Sequence, residues 1–179
     1  MAGNINGLDR LMRQYGALAR VVAGQNMEEA IGRAAHIVQG EAKLMCPVND
    51  GELRQSIKTS VQSAMGNVTG TVYTNKKYAT YVEFGTGPAG EADHAGISPE
   101  VSPAYTQSPW WIHESQIDRA TAEKYHWFYI DTPEGRFYQT SGQAAQPFMY
   151  PALKNNEKRV KKYVSGYLAE KIREAAGER

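Results

Sequence analysis

The residues best suited to chemistry in this chain are four histidines, one cysteine and a glycine-rich string. His36, His94, His113 and His126 form no H-x-x-x-H or H-E-x-x-H pair. No two of them therefore share a helical face as zinc ligands do. Asp93 and His94 are adjacent, but adjacency in sequence does not aim a base at a nucleophile. A packed or surface role is the simpler reading of each histidine. Gly85-Thr86-Gly87-Pro88-Ala89-Gly90 satisfies G-x-G-x-x-G. A dinucleotide fingerprint needs that string to open a helix whose first amides hold pyrophosphate. Pro88, Gly96, Pro99 and Pro103 follow, so such a helix is not expected, and no βαβ unit surrounds the string. A bending loop is the reading instead. Cys46 falls at the C-terminal end of a predicted helix, where the dipole raises rather than lowers a thiol pKa. It reads as a small buried residue. No nucleophile elbow, P-loop or paired-carboxylate signature is present. The sequence thus predicts no catalytic residue, no cofactor and no metal.

Two charges and a set of aromatics need positions of their own. Glu83 sits within the apolar stretch Tyr78–Phe84, and Arg54 sits between Leu53 and a predicted strand. A carboxylate amid apolar neighbours needs a partner. Arg54 is the expected one, within a subunit or across a subunit boundary. Eleven of the eighteen aromatic residues lie in 105–150, including Trp110, Trp111 and Trp127. Neighbours in a strand point to opposite faces, so Trp110 and Trp111 cannot both enter one layer. Intrachain packing and an interface are equally open to them.

The elements that would position these residues read as α+β. Leu8, Leu11, Met12, Tyr15, Leu18, Ala19 and Val22 give residues 5–22 a helical stripe, with Gly24 ending it. Residues 27–45 make a second helix, with Asn26 as N-cap, Glu29 completing a capping box and Pro47 as the stop. Glu52 to Ile57 reads as one helical turn. Residues 57–65 and Val68 to Thr74 read as a hairpin around Gly66-Asn67. Tyr78–Phe84 reads as either a strand or a short helix. Residues 85–109 are a long Gly- and Pro-rich loop, and 110–124 include a short helix. Tyr125–Ile130 and Arg136–Thr140 make another hairpin, closed by 131–135. Residues 150–175 form a long helix with Leu153, Val160, Tyr163, Val164, Tyr167, Leu168 and Ile172 as its stripe. No internal repeat is visible.

With 179 residues the chain has room for one domain, and its core needs no disulfide or metal. Twenty basic side chains against nineteen acidic ones exclude a protein that coats nucleic acid by charge alone. The near balance hides an asymmetry. Residues 88–146 carry three basic and eight acidic groups, whereas 147–179 carry eight and four. Such a chain can associate head to tail, although two solvated faces explain the pattern equally well. The basic last helix could also touch phosphates as a nucleic-acid-binding module. Its tyrosines, however, fall on the apolar stripe. No leader sequence and no apolar run of about 18 residues are present, which places the chain in the cytoplasm when made, with no membrane partner.

Three strings taken in order resemble a known family. They are Cys46-Pro47-Val48 with Gly51, Leu53-Arg54 and Ser56-Ile57; Tyr78-Ala79 with Tyr81-Val82-Glu83-Phe84-Gly85-Thr86-Gly87; and Gln146-Pro147-Phe148-Met149 with Pro151-Ala152-Leu153. Together they resemble the minor tail-component, or tail-completion, family of long-tailed bacteriophages, the Hong Kong phage gene-ten type. The resemblance covers about 26–87 and 146–175. It implies a structural virion protein rather than an enzyme, a single tail-completion domain over 1–179, and a homo-oligomeric ring, expected to be a hexamer, at the top of the tail. Tail-terminator, tail-tube or connector proteins would be its partners, and DNA would pass without sequence-specific binding. Residues 88–146 depart from compact members as an aromatic, acidic insertion. Arg54, Glu83, Phe84, Gly85, Thr86, Trp110, Trp111 and Phe148 are the expected interface or structural residues. Two other classes stay open: a small hydrolase using His94 or His113, and the nucleic-acid-binding module.

Overall fold

The structure, a computed structural model, describes residues 6–22, 24–124 and 126–176. The chain divides into two compact units, Met1–Asn75 with Ala152–Arg179, and Lys76–Pro151. The second unit contains the whole of the 88–146 segment.

The first unit contains α1 (Asn6–Val22), α2 (Gln25–Met45), the short α3 (Glu52–Ser56), strands β1 (Lys58–Ala64) and β2 (Asn67–Tyr73), and most of the last helix. An isolated hairpin is marginal in water and needs a cover. The cover here is α2, whose Ala30, Ala34, Ala35, Val38 and Ala42 are buried. Small residues let the helix approach closely. A Cβ built on Gly70 would stand 2.8 Å from the Ile31 side chain. Gln39 Nε2 donates to the Ile57 carbonyl at 2.8 Å, tying the helix to the start of the hairpin. Cys46, Leu53 and Ile57 complete this core. The hairpin turn is Met65-Gly66, one residue earlier than expected, and both residues have positive φ. That is the backbone a type I′ turn requires.

One expectation in this unit needs correction. The N-cap of α2 is Gly24, which makes no side-chain capping bond, so Asn26 lies inside the helix. The α1 stripe runs along a helix, as its periodicity implies, and most of it lies outside the core. Ala17 and Val21 are buried, whereas Leu8, Leu11, Met12, Tyr15 and Leu18 are 39–73% exposed. Periodicity reports which residues share a face, not what that face meets. Ile5 and the Val22 side chain lie outside the described residues.

The second unit contains α4 (Ala79–Phe84), α5 (Gly87–Ala92), β3 (Trp110–His113), α6 (Arg119–Lys124), β4 (Tyr129–Thr132) and β5 (Gly135–Thr140). A single 3-10 turn spans Glu114–Gln116. The strands form an antiparallel sheet in the order β3-β5-β4, separate from the hairpin of the first unit. Thr132 pairs with Gly135, so Pro133-Glu134 is the β4–β5 turn. Tyr125, expected to open β4, lies outside the described residues. Tyr78–Phe84 resolves as helix. The glycine string opens a helix after all. Thr86 is its N-cap and Pro88 occupies the first turn, where a missing N–H costs nothing. The last helix, α7 (Met149–Ala175), begins in this unit with Phe148 fully buried just before it.

Candidate functional site

The second unit is organised by a buried carboxylate. Glu83, only 6% exposed on α4, accepts three backbone hydrogen bonds. Phe148 N–H and Met149 N–H donate to Oε2 at 2.8 and 2.9 Å, and Tyr150 N–H donates to Oε1 at 3.0 Å. These are amides at the start of α7, which lack helical acceptors and lie at the positive end of the dipole. The burial cost of the charge is met by three donors that otherwise have no partner. Glu83 therefore finds its partner in the main chain of its own unit. Within one subunit these amides, rather than the expected Arg54, are the partners that Glu83 has. Arg54, in the other unit, donates from Nη2 to the Cys46 carbonyl at 3.4 Å, while its Nε is buried without a hydrogen-bond partner. Burial pushes the Cys46 thiol up, with Arg54 opposing part of the shift.

Beside Glu83 the chain crosses itself. Thr86 and Gln143 form an isolated antiparallel bridge, N–H to carbonyl at 2.9 and 3.1 Å in the two directions. Gln146 N–H donates to the Val82 carbonyl at 2.8 Å, and Gln143 Nε2 to the Tyr81 carbonyl at 2.9 Å. Glycines on both sides of the crossing permit this approach. At Gly85, φ is +75°, and a Cβ would fall 2.8 Å from both Gln143 O and Ala145 N. At Gly142, φ is +84°, and a Cβ would fall 1.9 Å from Thr86 O. Both positions exclude a side chain on conformational and steric grounds.

The crossing forms one wall of a cavity of about 860 Å³. That volume lies within the range of binding pockets, roughly 300–1,000 Å³. Phe84, Gly85, Thr86 and Trp110, all singled out from sequence, line it together with Tyr78, Tyr81, Tyr105, Ile112 and Trp127. Strand register explains the division of the tryptophans. Trp110 pairs with Thr140 and shares its face with the cavity, whereas Trp111 pairs with Gln139. Trp111 thus projects from the opposite face, 41% exposed and 6.0 Å from the Phe128 ring. Tyr105, also on the lining, donates its hydroxyl to the Phe84 carbonyl at 2.7 Å. Its phenol pKa is raised, mainly by burial and further by Glu91 nearby. Tyr78, Tyr81, Tyr105 and Trp127 were not among the expected interface or structural residues. The aromatic density of 105–150 pointed toward Tyr105 and Trp127, but no local signal joined them to Phe84.

The lining contains no histidine, cysteine, lysine, arginine or carboxylate. It offers apolar surface, peptide dipoles and the hydroxyls of tyrosines and threonines. The two histidines of the hydrolase reading lie elsewhere. His94 Nδ1 bonds the Gly90 carbonyl at 3.1 Å, and its ring stacks on Tyr105. His113 Nδ1 accepts from Ser115 N–H at 3.2 Å, so Nε2 carries the proton donated to the Glu134 carbonyl at 3.0 Å. Among the described residues no three His, Cys, Asp or Glu side chains group as metal ligands. On α7, Tyr163 and Tyr167 are half-buried and stack on each other, and the Tyr167 hydroxyl donates to Glu29 at 2.7 Å. Lys161 and Lys171 pair with Glu157 and Glu174. No helix among the described residues is long and apolar enough to cross a membrane.

Residues 9–85 match the model of the family described as "Bacteriophage HK97-gp10, putative tail-component". The match runs from α1 to the crossing at Gly85 and points to the same phage tail-component family as the three sequence strings. No curated protein and no solved structure matches the chain.

Proposed function

We propose, on the match of residues 9–85 to a phage tail-component family, that this chain is a structural protein that completes a long phage tail and joins it to the head. In this reading it is a virion protein of the tail neck, made in the host cytoplasm and assembled there. It forms a homo-oligomeric ring, sixfold as the leading expectation, against tail-terminator, tail-tube or connector proteins. DNA passes through without sequence readout. The family match carries the proposal, and the charge distribution supports it. The unit Met1–Asn75 with Ala152–Arg179 holds 15 basic and 10 acidic side chains, and Lys76–Pro151 holds five and nine. Closed rings use contacts between two different faces of each subunit, which opposite net charges favour.

The test is genetic and physical. Deleting the gene from its phage should leave filled heads and tails that fail to join, and the purified protein should form rings by electron microscopy. A protein that stays at the 19.8 kDa monomer mass and never cosediments with tails would end this reading.

A further inference from the structure

The stripe of α1 and the aromatic cavity of the second unit are both apolar surfaces left open to solvent. Leu8, Leu11, Met12, Tyr15 and Leu18 recur at three- and four-residue steps on α1, and Tyr15 is 73% exposed. That spacing is the anchor pattern of a helix laid in an apolar groove. A contiguous apolar helix face in water marks an interaction surface. The groove of matching character is on the same chain, with Tyr78, Tyr81 and Val101 39–58% exposed at the cavity described above.

Charge selects the occupant. The sequence of α1 contains three arginines against one aspartate, with Arg10 and Arg13 exposed beside the apolar stripe. The cavity lies in a unit of nine acidic and five basic side chains, with two exposed acids against the exposed Lys77 beside Tyr78. Glu91 acts on Tyr105, and Glu100 adjoins Val101. The neutral lining takes apolar side chains, and the net acidic unit around it favours arginines. A second copy of this chain supplies both on one helix.

We propose that α1 of one copy docks in the Tyr81–Val101 groove of the next copy. The contact is heterologous and leaves a free groove at one end and a free α1 at the other, as a ring or filament requires. This inference rests on the self-assembly reading above and names the surface that would serve it.

Two variants test it. Leu11→Glu with Tyr15→Glu disables the helix face, and Tyr81→Lys with Val101→Lys disables the groove. All four side chains are at least 40% exposed, so wild-type melting and tryptophan emission are expected. Light scattering should show wild type as an assembly and each variant alone as monomer. An equimolar mixture of the variants should give a species of twice the monomer mass and nothing larger, because only one intact helix meets one intact groove. Wild-type-like assembly by either variant overturns the proposal while leaving ring formation standing. Assembly of the groove variant alone would show that α1 pairs with itself, which also overturns it. A wild-type protein that is monomeric at high concentration removes the ring reading first and this contact with it.

Discussion

Replacing Glu83 with glutamine keeps the shape of the side chain and changes one acceptor into a donor. Oε2 serves Phe148 and Met149, and Oε1 serves Tyr150. The amide oxygen of glutamine takes the Oε2 place, and its NH2 then faces the Tyr150 N–H. Leaving one part-buried donor unsatisfied costs about 1–3 kcal/mol. Losing the negative charge at the start of α7 costs about 0.3–2 kcal/mol more. The expected destabilisation is roughly 1–5 kcal/mol, and at ~2–4 °C per kcal/mol for a chain of this size Tm falls by roughly 2–20 °C. Alanine, which leaves all three donors without an acceptor, should fall further. Trp110, Trp111 and Trp127 all belong to Lys76–Pro151. Tryptophan emission during thermal unfolding therefore follows the unit that contains the carboxylate. A Glu83→Gln protein melting within a degree of wild type, or an alanine variant more stable than glutamine, would refute the reasoning.

Other perturbations test other parts of the fold. Gly142→Ala should destabilise by at least about 3 kcal/mol, since it combines a positive-φ strain of ~1–2 kcal/mol with a clash against Thr86. Gly40→Ala, in an exposed turn of α2 with nothing within 4 Å of the new methyl, should instead stabilise by about 0.5–1 kcal/mol; chemical denaturation reads both. Met65, fully exposed in the Met65-Gly66 turn, tolerates replacement by asparagine, and the resulting Asn-Gly turn should raise stability by about 0.5–2 kcal/mol. No gain on denaturation would count against the turn assignment. Because burial raises the Cys46 thiol pKa, its contribution is complete below the unfolded thiol value of about 8.5 and declines as pH rises through the raised folded value. Stability should therefore slope downward above about pH 8.5, and Cys46→Ala should flatten that slope in denaturation curves taken from pH 7 to 10. A slope unchanged by the substitution would place its source elsewhere.

The helices α1, α2 and α7 were legible because a 3.6-residue apolar period survives in the sequence whatever packs against it. The two hairpins were legible from alternation and from glycine at the turns. The parts that escaped depend on partners distant in the chain. Trp110–His113 is a four-residue strand only because β5, more than twenty residues later, pairs with it. The division into two sheets follows from the same pairing. The helix at Gly87–Ala92 defied its glycine and proline content because Ala89 N–H also reaches the Ser141 carbonyl at 3.0 Å. Glu83 announced a need for a partner through its apolar surroundings. The identity of that partner, three main-chain amides, leaves no trace in residue types, so a side-chain cation was the only candidate a sequence could name.

The crossing at Thr86 and Gln143 brings the two ends of the intervening chain, 87–142, side by side. A polymer excursion anchored in this way is nearly indifferent to its own contour length. Closing it costs only about 0.6 kcal/mol for each doubling in residues. The distal segment is thus a graft on a fixed stem, free to be shortened, extended or exchanged while the carboxylate latch beneath it keeps the same three bonds. Evolvability is concentrated at that point: a lineage could change what the distal segment recognises without renegotiating the hairpin and helices of the other unit.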